Sequence, residues 1–60
     1  MNRLKELRIK AGLSQMELSK KSGVDRSGIS DIERDVATNI TIKTLERLAF
    51  ALGCEPRDLM

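Results

Sequence analysis

Sixty residues with one cysteine, no histidine and a formal net charge of +2 make one domain at most, residues 1–60, and exclude an intrachain disulfide or a zinc site as its support. A chain this short buries only about 60% of the surface that its unfolded form exposes, so its stability must come from helix packing, with or without a partner's help. One aromatic residue, Phe50, one proline, Pro56, and an abundance of Leu, Lys, Glu, Arg, Met and Ala favour helices over a β-rich or proline-rich fold.

The first predicted helix covers about residues 2–11. Leu4, Leu7 and Ala11 recur at helical steps, Ile9 lies off that stripe, and Gly12 stops the helix. Ser14-Gln15-Met16-Glu17 has the form of a capping box: the serine hydroxyl takes the N–H of Glu17, and the Glu17 carboxylate reaches back to the N–H of Ser14. A second helix therefore starts near Gln15. Leu18 is its main core residue, Met16 a weaker one, and Ser22-Gly23 interrupts it. Asp25 is a fitting N-cap for a third helix over about residues 26–34, with Ile29 and Ile32 facing inward. Gly28 inside that helix costs about 1 kcal/mol relative to alanine, a cost that sometimes marks close approach to another molecule. Residues 35–40 read as a loop. Thr41 caps a fourth helix with an apolar stripe of Ile42, Leu45, Leu48, Ala49 and Leu52, and Gly53 ends it. Pro56 suits the first turn of a short fifth helix that points Leu59 inward. The expectation is an all-α, compact five-helix bundle.

Charge is uneven along the chain. Residues 1–23 carry six Lys and Arg against two Glu, residues 24–40 two Arg against four Asp and Glu, and residues 41–60 three against three. The basic N-terminal third can face phosphates, although charge alone fits a solvated helix face equally well.

Helices two and three carry the functional signal. Two short helices about four residues apart, with a glycine in the turn, match the helix-turn-helix unit. Small Ser19 suits a close helix crossing, Gly23 tolerates positive φ in the turn, and the two isoleucines hold the second helix so that its other side projects outward. The sequence resembles the phage Cro and repressor family, also called the Xre family, with its lambda-repressor-like fold. The matching residues are Leu13-Ser14-Gln15-Met16-Glu17-Leu18-Ser19, Gly23-Val24-Asp25-Arg26-Ser27 and Ile29-Ser30-Asp31-Ile32-Glu33-Arg34, with Leu45 to Leu52 and Gly53 similar to that family's fourth helix and exit.

The resemblance implies sequence-specific binding to double-stranded DNA as a transcriptional regulator, with the helix at about residues 26–34 in the major groove. Gln15 would touch a phosphate. Arg26 and Ser27 would sit at the exposed start of the recognition helix, with Ser30 and Asp31 one turn on. Arg34 and the loop around Thr38 and Asn39 would follow the second phosphate backbone. Arg8 and Glu33 would form an internal ion pair. Arg26 can donate two hydrogen bonds to guanine O6 and N7, worth roughly 1–3 kcal/mol of discrimination. Asp31 can accept from cytosine N4, or pair with Arg34 or Lys20. A homodimer is implied, paired through the segment from Cys54 to Met60 with Phe50 as an accessory. The sequence departs from the family in having Ser19 where alanine is common, in having Asp35 where glycine usually follows the third helix, and in having Val36 and Ala37 at often-basic positions. Aspartate tolerates the left-handed region less well than glycine, which allows that turn to differ.

An interaction module on the same fold, such as the antitoxin of a toxin pair, is the alternative reading. An enzyme is not expected: the sequence offers no histidine, paired carboxylates, phosphate-binding glycine loop or metal set, and so no cofactor. A lone small cysteine, Cys54, in the turn after helix four suits a reducing cytoplasm. No apolar run approaches the ~20 residues of a membrane span.

Overall fold

Local chemistry at Ser14 starts the fold as expected. In the computed structural model, which describes residues 3–37 and 40–59, the Glu17 backbone N–H donates to Ser14 Oγ at 3.0 Å and the Ser14 N–H donates to Glu17 Oε1 at 2.8 Å. This reciprocal cap satisfies two otherwise orphaned donors and fixes the start of α2 (Gln15–Ser22). The bond to the Ser14 N–H holds the Glu17 carboxyl below its ordinary pKa. Gly23 ends α2 at φ +79°, a left-handed conformation that a residue with a Cβ enters only at a cost.

Before it runs α1 (Leu4–Lys10), shorter than the expected 2–11; residues 1 and 2 lie outside the described residues. After it come α3 (Arg26–Glu33), α4 (Ile42–Leu52) and a closing 3-10 turn, Pro56–Leu59. The described residues are helical or irregular, with no strand. The fifth element is thus one 3-10 turn, which corrects the expectation of five α-helices. Four residues held by Pro56 at the start and by the Asp58 carboxylate accepting the Glu55 N–H at 3.0 Å are too few to build an α-helical ladder.

The core is Leu4 from α1, Leu18 from α2, Ile29 and Ile32 from α3, Leu48, Ala49 and Ala51 from α4, and Leu59 from the closing turn. α2 packs on both α3 and α4, α1 on α3, and the closing turn on α4. The Arg3 N–H donates to the Leu59 carbonyl at 2.8 Å, tying the entry of the fold to its exit. Three apolar expectations are corrected. Ile42 is 75% exposed, because the first position of α4 projects past the elements that cover the helix. Ala11 is exposed as the C-cap of α1, and Met16 points to solvent from the first turn of α2. Ile9 is exposed, as its place off the stripe implied. Cys54 is half-buried, and burial followed by the nearby Asp58 and Glu55 carboxylates pushes its thiol pKa up. Among the described residues no helix is long and apolar enough to cross a membrane.

Candidate nucleic-acid interface

The outward side of α3 is set by what its inward side buries. Ile29 is fully buried and Ile32 is 5% exposed. At 100° per residue this turns Ser27, Ser30, Asp31 and Arg34 away from the core, with Arg26 beside them at the helix start. Arg26, Ser27 and Arg34 are exposed, and Ser30 and Asp31 half-buried. Among the described residues no other element covers the arginine and serine at the start of the helix.

Two details of α3 depart from expectation. Asp25 occupies the N-cap position, but its side chain makes no cap hydrogen bond. Its exposed carboxylate stays with solvent, and among the described residues the first-turn N–H groups have no side-chain acceptor. Arg34 is the C-cap rather than the last helical residue. Its Nη2 donates to Asp31 Oδ1 at 3.1 Å, one turn back. This is one of the two pairings that the sequence left open for Asp31. With side chains 66% and 48% exposed, the pair contributes little to stability. It orients Arg34 along the helix and offsets part of the Asp31 charge on this face.

Behind α3 lies a polar network. Glu33 takes Arg8 Nε on Oε2 at 2.6 Å and Arg8 Nη2 on Oε1 at 3.2 Å. Arg8 Nη1 donates to the Leu13 carbonyl at 2.8 Å. The hydrogen bond to Glu33 raises the guanidinium pKa above its usual value, against a smaller opposing effect of burial. The expected Arg8–Glu33 pair is therefore present, and it clamps α1 to the end of α3 through the segment that leads into α2. The Gln15 amide joins it, with Nε2 donating to Glu33 Oε1 at 3.1 Å. The sequence did not point to this bond; its one available signal was Glu33, already assigned to the end of α3 beside Arg8. Gln15 is thus held by Glu33 at the first position of α2, with a second amide N–H and its carbonyl left over.

After α3, Asp35 takes φ +59°. The turn keeps the left-handed backbone that glycine would adopt there, so the substitution changes the energy of this turn and not its course. Gly28 is not required by packing, since a Cβ built there would meet only Val24 Cγ1 at 3.7 Å, an ordinary contact. Asn39, the remaining expected contact residue, lies with Thr38 outside the described residues.

Comparison with known proteins places this arrangement. A family described as helix-turn-helix matches residues 4–59. The chain is 38% identical over 58 residues to the HTH-type transcriptional regulator SinR of Bacillus subtilis, covering 97% of this chain and 52% of that protein. Among solved structures, the restriction-modification controller protein C.AhdI from Aeromonas hydrophila superposes with a TM-score of 0.89 at 45% identity, over 97% of this chain and 86% of the other. A crystal structure of SinR in complex with DNA superposes with a TM-score of 0.86 at 38% identity, over 92% and 87% of the two chains. The chain spans about half the length of the curated SinR proteins that it matches.

Proposed function

The chain belongs to the helix-turn-helix family, and from that premise we propose that it binds double-stranded DNA sequence-specifically as a transcriptional regulator, with residues 1–60 acting as one DNA-binding domain. The observation that carries this reading is the division of α3: isoleucines fully packed behind, and Arg26 and Ser27 open in front. The major groove of B-form DNA admits one such helix. In this reading Arg26 donates to guanine O6 and N7, Ser27 and Ser30 meet base edges or phosphates, and Asp31 accepts from cytosine while it steers Arg34 toward a phosphate. Gln15, held by Glu33, offers its second N–H to a phosphate at the start of α2, and Asn39 continues the backbone contacts. SinR, a transcriptional regulator similar over nearly the whole of this chain, has been crystallised with DNA, which supports the assignment.

The protein measures 26 × 21 × 18 Å. Recognition helices that read two successive half-sites stand about 34 Å apart, farther than one copy can reach. Two copies are therefore part of the proposal, paired through residues 54–60, and the reducing cytoplasm is the proposed place of action.

The test is selection of bound duplexes from a random pool, followed by affinity for the selected site across a salt series. A steep linear fall of log affinity with log salt is expected, with a slope of roughly −0.9 per phosphate neutralised, together with a selected sequence of two-fold symmetry. Recovery of no preferred sequence and no salt-dependent binding would overturn the reading.

A further inference from the structure

α2 and α4 leave an open groove of about 350 Å³ between them, lined by Lys21, Ser22, Lys43, Glu46, Arg47 and Phe50. None of the proposed DNA contacts lines it. Phe50 is the only aromatic residue of the chain, and it is 90% exposed. A single exposed apolar side chain is ordinary; its surroundings here are not. Lys43 stands in the first turn of α4, where the helix dipole disfavours a cation. Arg47 follows it at i+4, a like-charge pair on one helix face, and α2 brings Lys21 to the same groove as a third cation. Among the described residues none of these three cations forms an ion pair, and neither does Glu46, the single carboxylate of the groove. Two local rules are broken together, with no ion pair among the described residues to offset them, as expected where a surface serves a function.

We propose that this groove docks an acidic amphipathic segment of a protein partner. Phe50 packs against the partner's apolar side chains, while Lys21, Lys43 and Arg47 take the flanking carboxylates. Charge complementarity selects this occupant. A second copy docked face to face would set three cations against three. Duplex DNA keeps its bases stacked and gives the Phe50 ring nothing to pack on, so it leaves the apolar part of the groove unused. The proposal does not depend on the DNA reading.

The test is a titration of the isotope-labelled chain, followed by NMR, with a short synthetic helix that has a leucine stripe flanked by glutamates. Saturable shifts are expected at Lys21, Ser22, Lys43, Arg47 and Phe50, and the affinity should fall with salt. Phe50→Ala should weaken binding at least about tenfold, as expected for a hot-spot residue. A Lys43→Glu/Arg47→Glu variant should lose the glutamate helix and gain the same helix rebuilt with lysines. All three positions are exposed, and retained dispersion of the core resonances confirms folding; if Phe50→Ala fails to fold, the charge exchange decides alone. Equal binding of a glutamine-for-glutamate helix, or shifts scattered away from the groove, would overturn the proposal. So would displacement of the helix by duplex DNA that shifts these same residues, or self-association that Phe50→Ala abolishes with no response to the helix.

Discussion

Replacing Glu33 by glutamine changes one oxygen to an NH₂ group and almost no volume, yet the structure has no place for that group. Glu33 Oε2 accepts from Arg8 Nε, and Oε1 accepts from both Arg8 Nη2 and Gln15 Nε2. Whichever way the new amide turns, its NH₂ faces a donor. The Glu33 side chain is 4% exposed and that of Arg8 11%, so water cannot fully replace the lost acceptor. Breaking a buried pair by removing one partner costs about 3–5 kcal/mol. Because one carbonyl acceptor survives, the lower end applies, about 3 kcal/mol. A domain of this size has roughly 3–9 kcal/mol in total, so Glu33→Gln should lower the thermal midpoint by about 12–24 °C. The midpoint is read by circular dichroism, with urea unfolding as the second measure. The double variant Arg8→Met/Glu33→Leu should recover at least half of the loss, since it removes both charges and leaves mainly the Leu13 carbonyl short of a donor. A Glu33→Gln loss below about 1 kcal/mol, typical of an exposed pair, would refute the claim that this network locks α3 to α1.

Other consequences follow from the backbone and the caps. At Asp35, which has φ +59°, the glycine variant should be more stable than the alanine variant by about 1 kcal/mol, since both lack the aspartate side chain and alanine alone pays for the left-handed region; equal urea midpoints would contradict the assigned backbone. Gly28→Ala should stabilise the fold by about 0.5–1 kcal/mol, because the added methyl meets only ordinary contact, and destabilisation would mean that α3 packs more tightly against Val24. The Glu17 carboxyl is held below its ordinary value of 4.5 by the Ser14 N–H. Its contribution is therefore fully present above that pH and is lost as pH falls through the lower folded value. Subtracting the stability profile of Glu17→Gln from that of the parent should reveal this acid loss, and parallel profiles would count against the cap.

Much of this was legible from local signals. The Ser14–Glu17 box and the Gly23 exit depend on residues within a few positions, so the sequence specifies them directly. Ile29 and Ile32 were legible because one apolar pair on a short polar helix leaves a single inward direction. α4 was read less well: its stripe includes Ile42, yet nothing in the spacing tells that the first position overshoots its neighbours. The stripe also omits Ala51, which is buried because α4 is packed by both α2 and the closing turn. In the site, Arg26, Ser27, Ser30 and Asp31 fall on the expected side of α3. The Gln15–Glu33 bond was not legible, since it joins two elements whose approach depends on the Arg8 clamp. Asp25 carried a capping signature without a capping bond, because residue type marks a cap position more surely than it fixes a side-chain rotamer.

The most direct test of α3 as the element that reads DNA is a 7-deazapurine scan of the selected duplex, which deletes the N7 acceptor from one major-groove purine at a time, run on the parent and on Arg26→Ala. Discrimination of roughly 1–3 kcal/mol predicts that the parent loses about 5- to 150-fold in affinity at one guanine of each half-site. Arg26→Ala, with an unchanged thermal midpoint, should be indifferent to that guanine while remaining sensitive elsewhere. A scan in which no purine N7 matters, or in which both proteins lose equally at every position, would contradict the account.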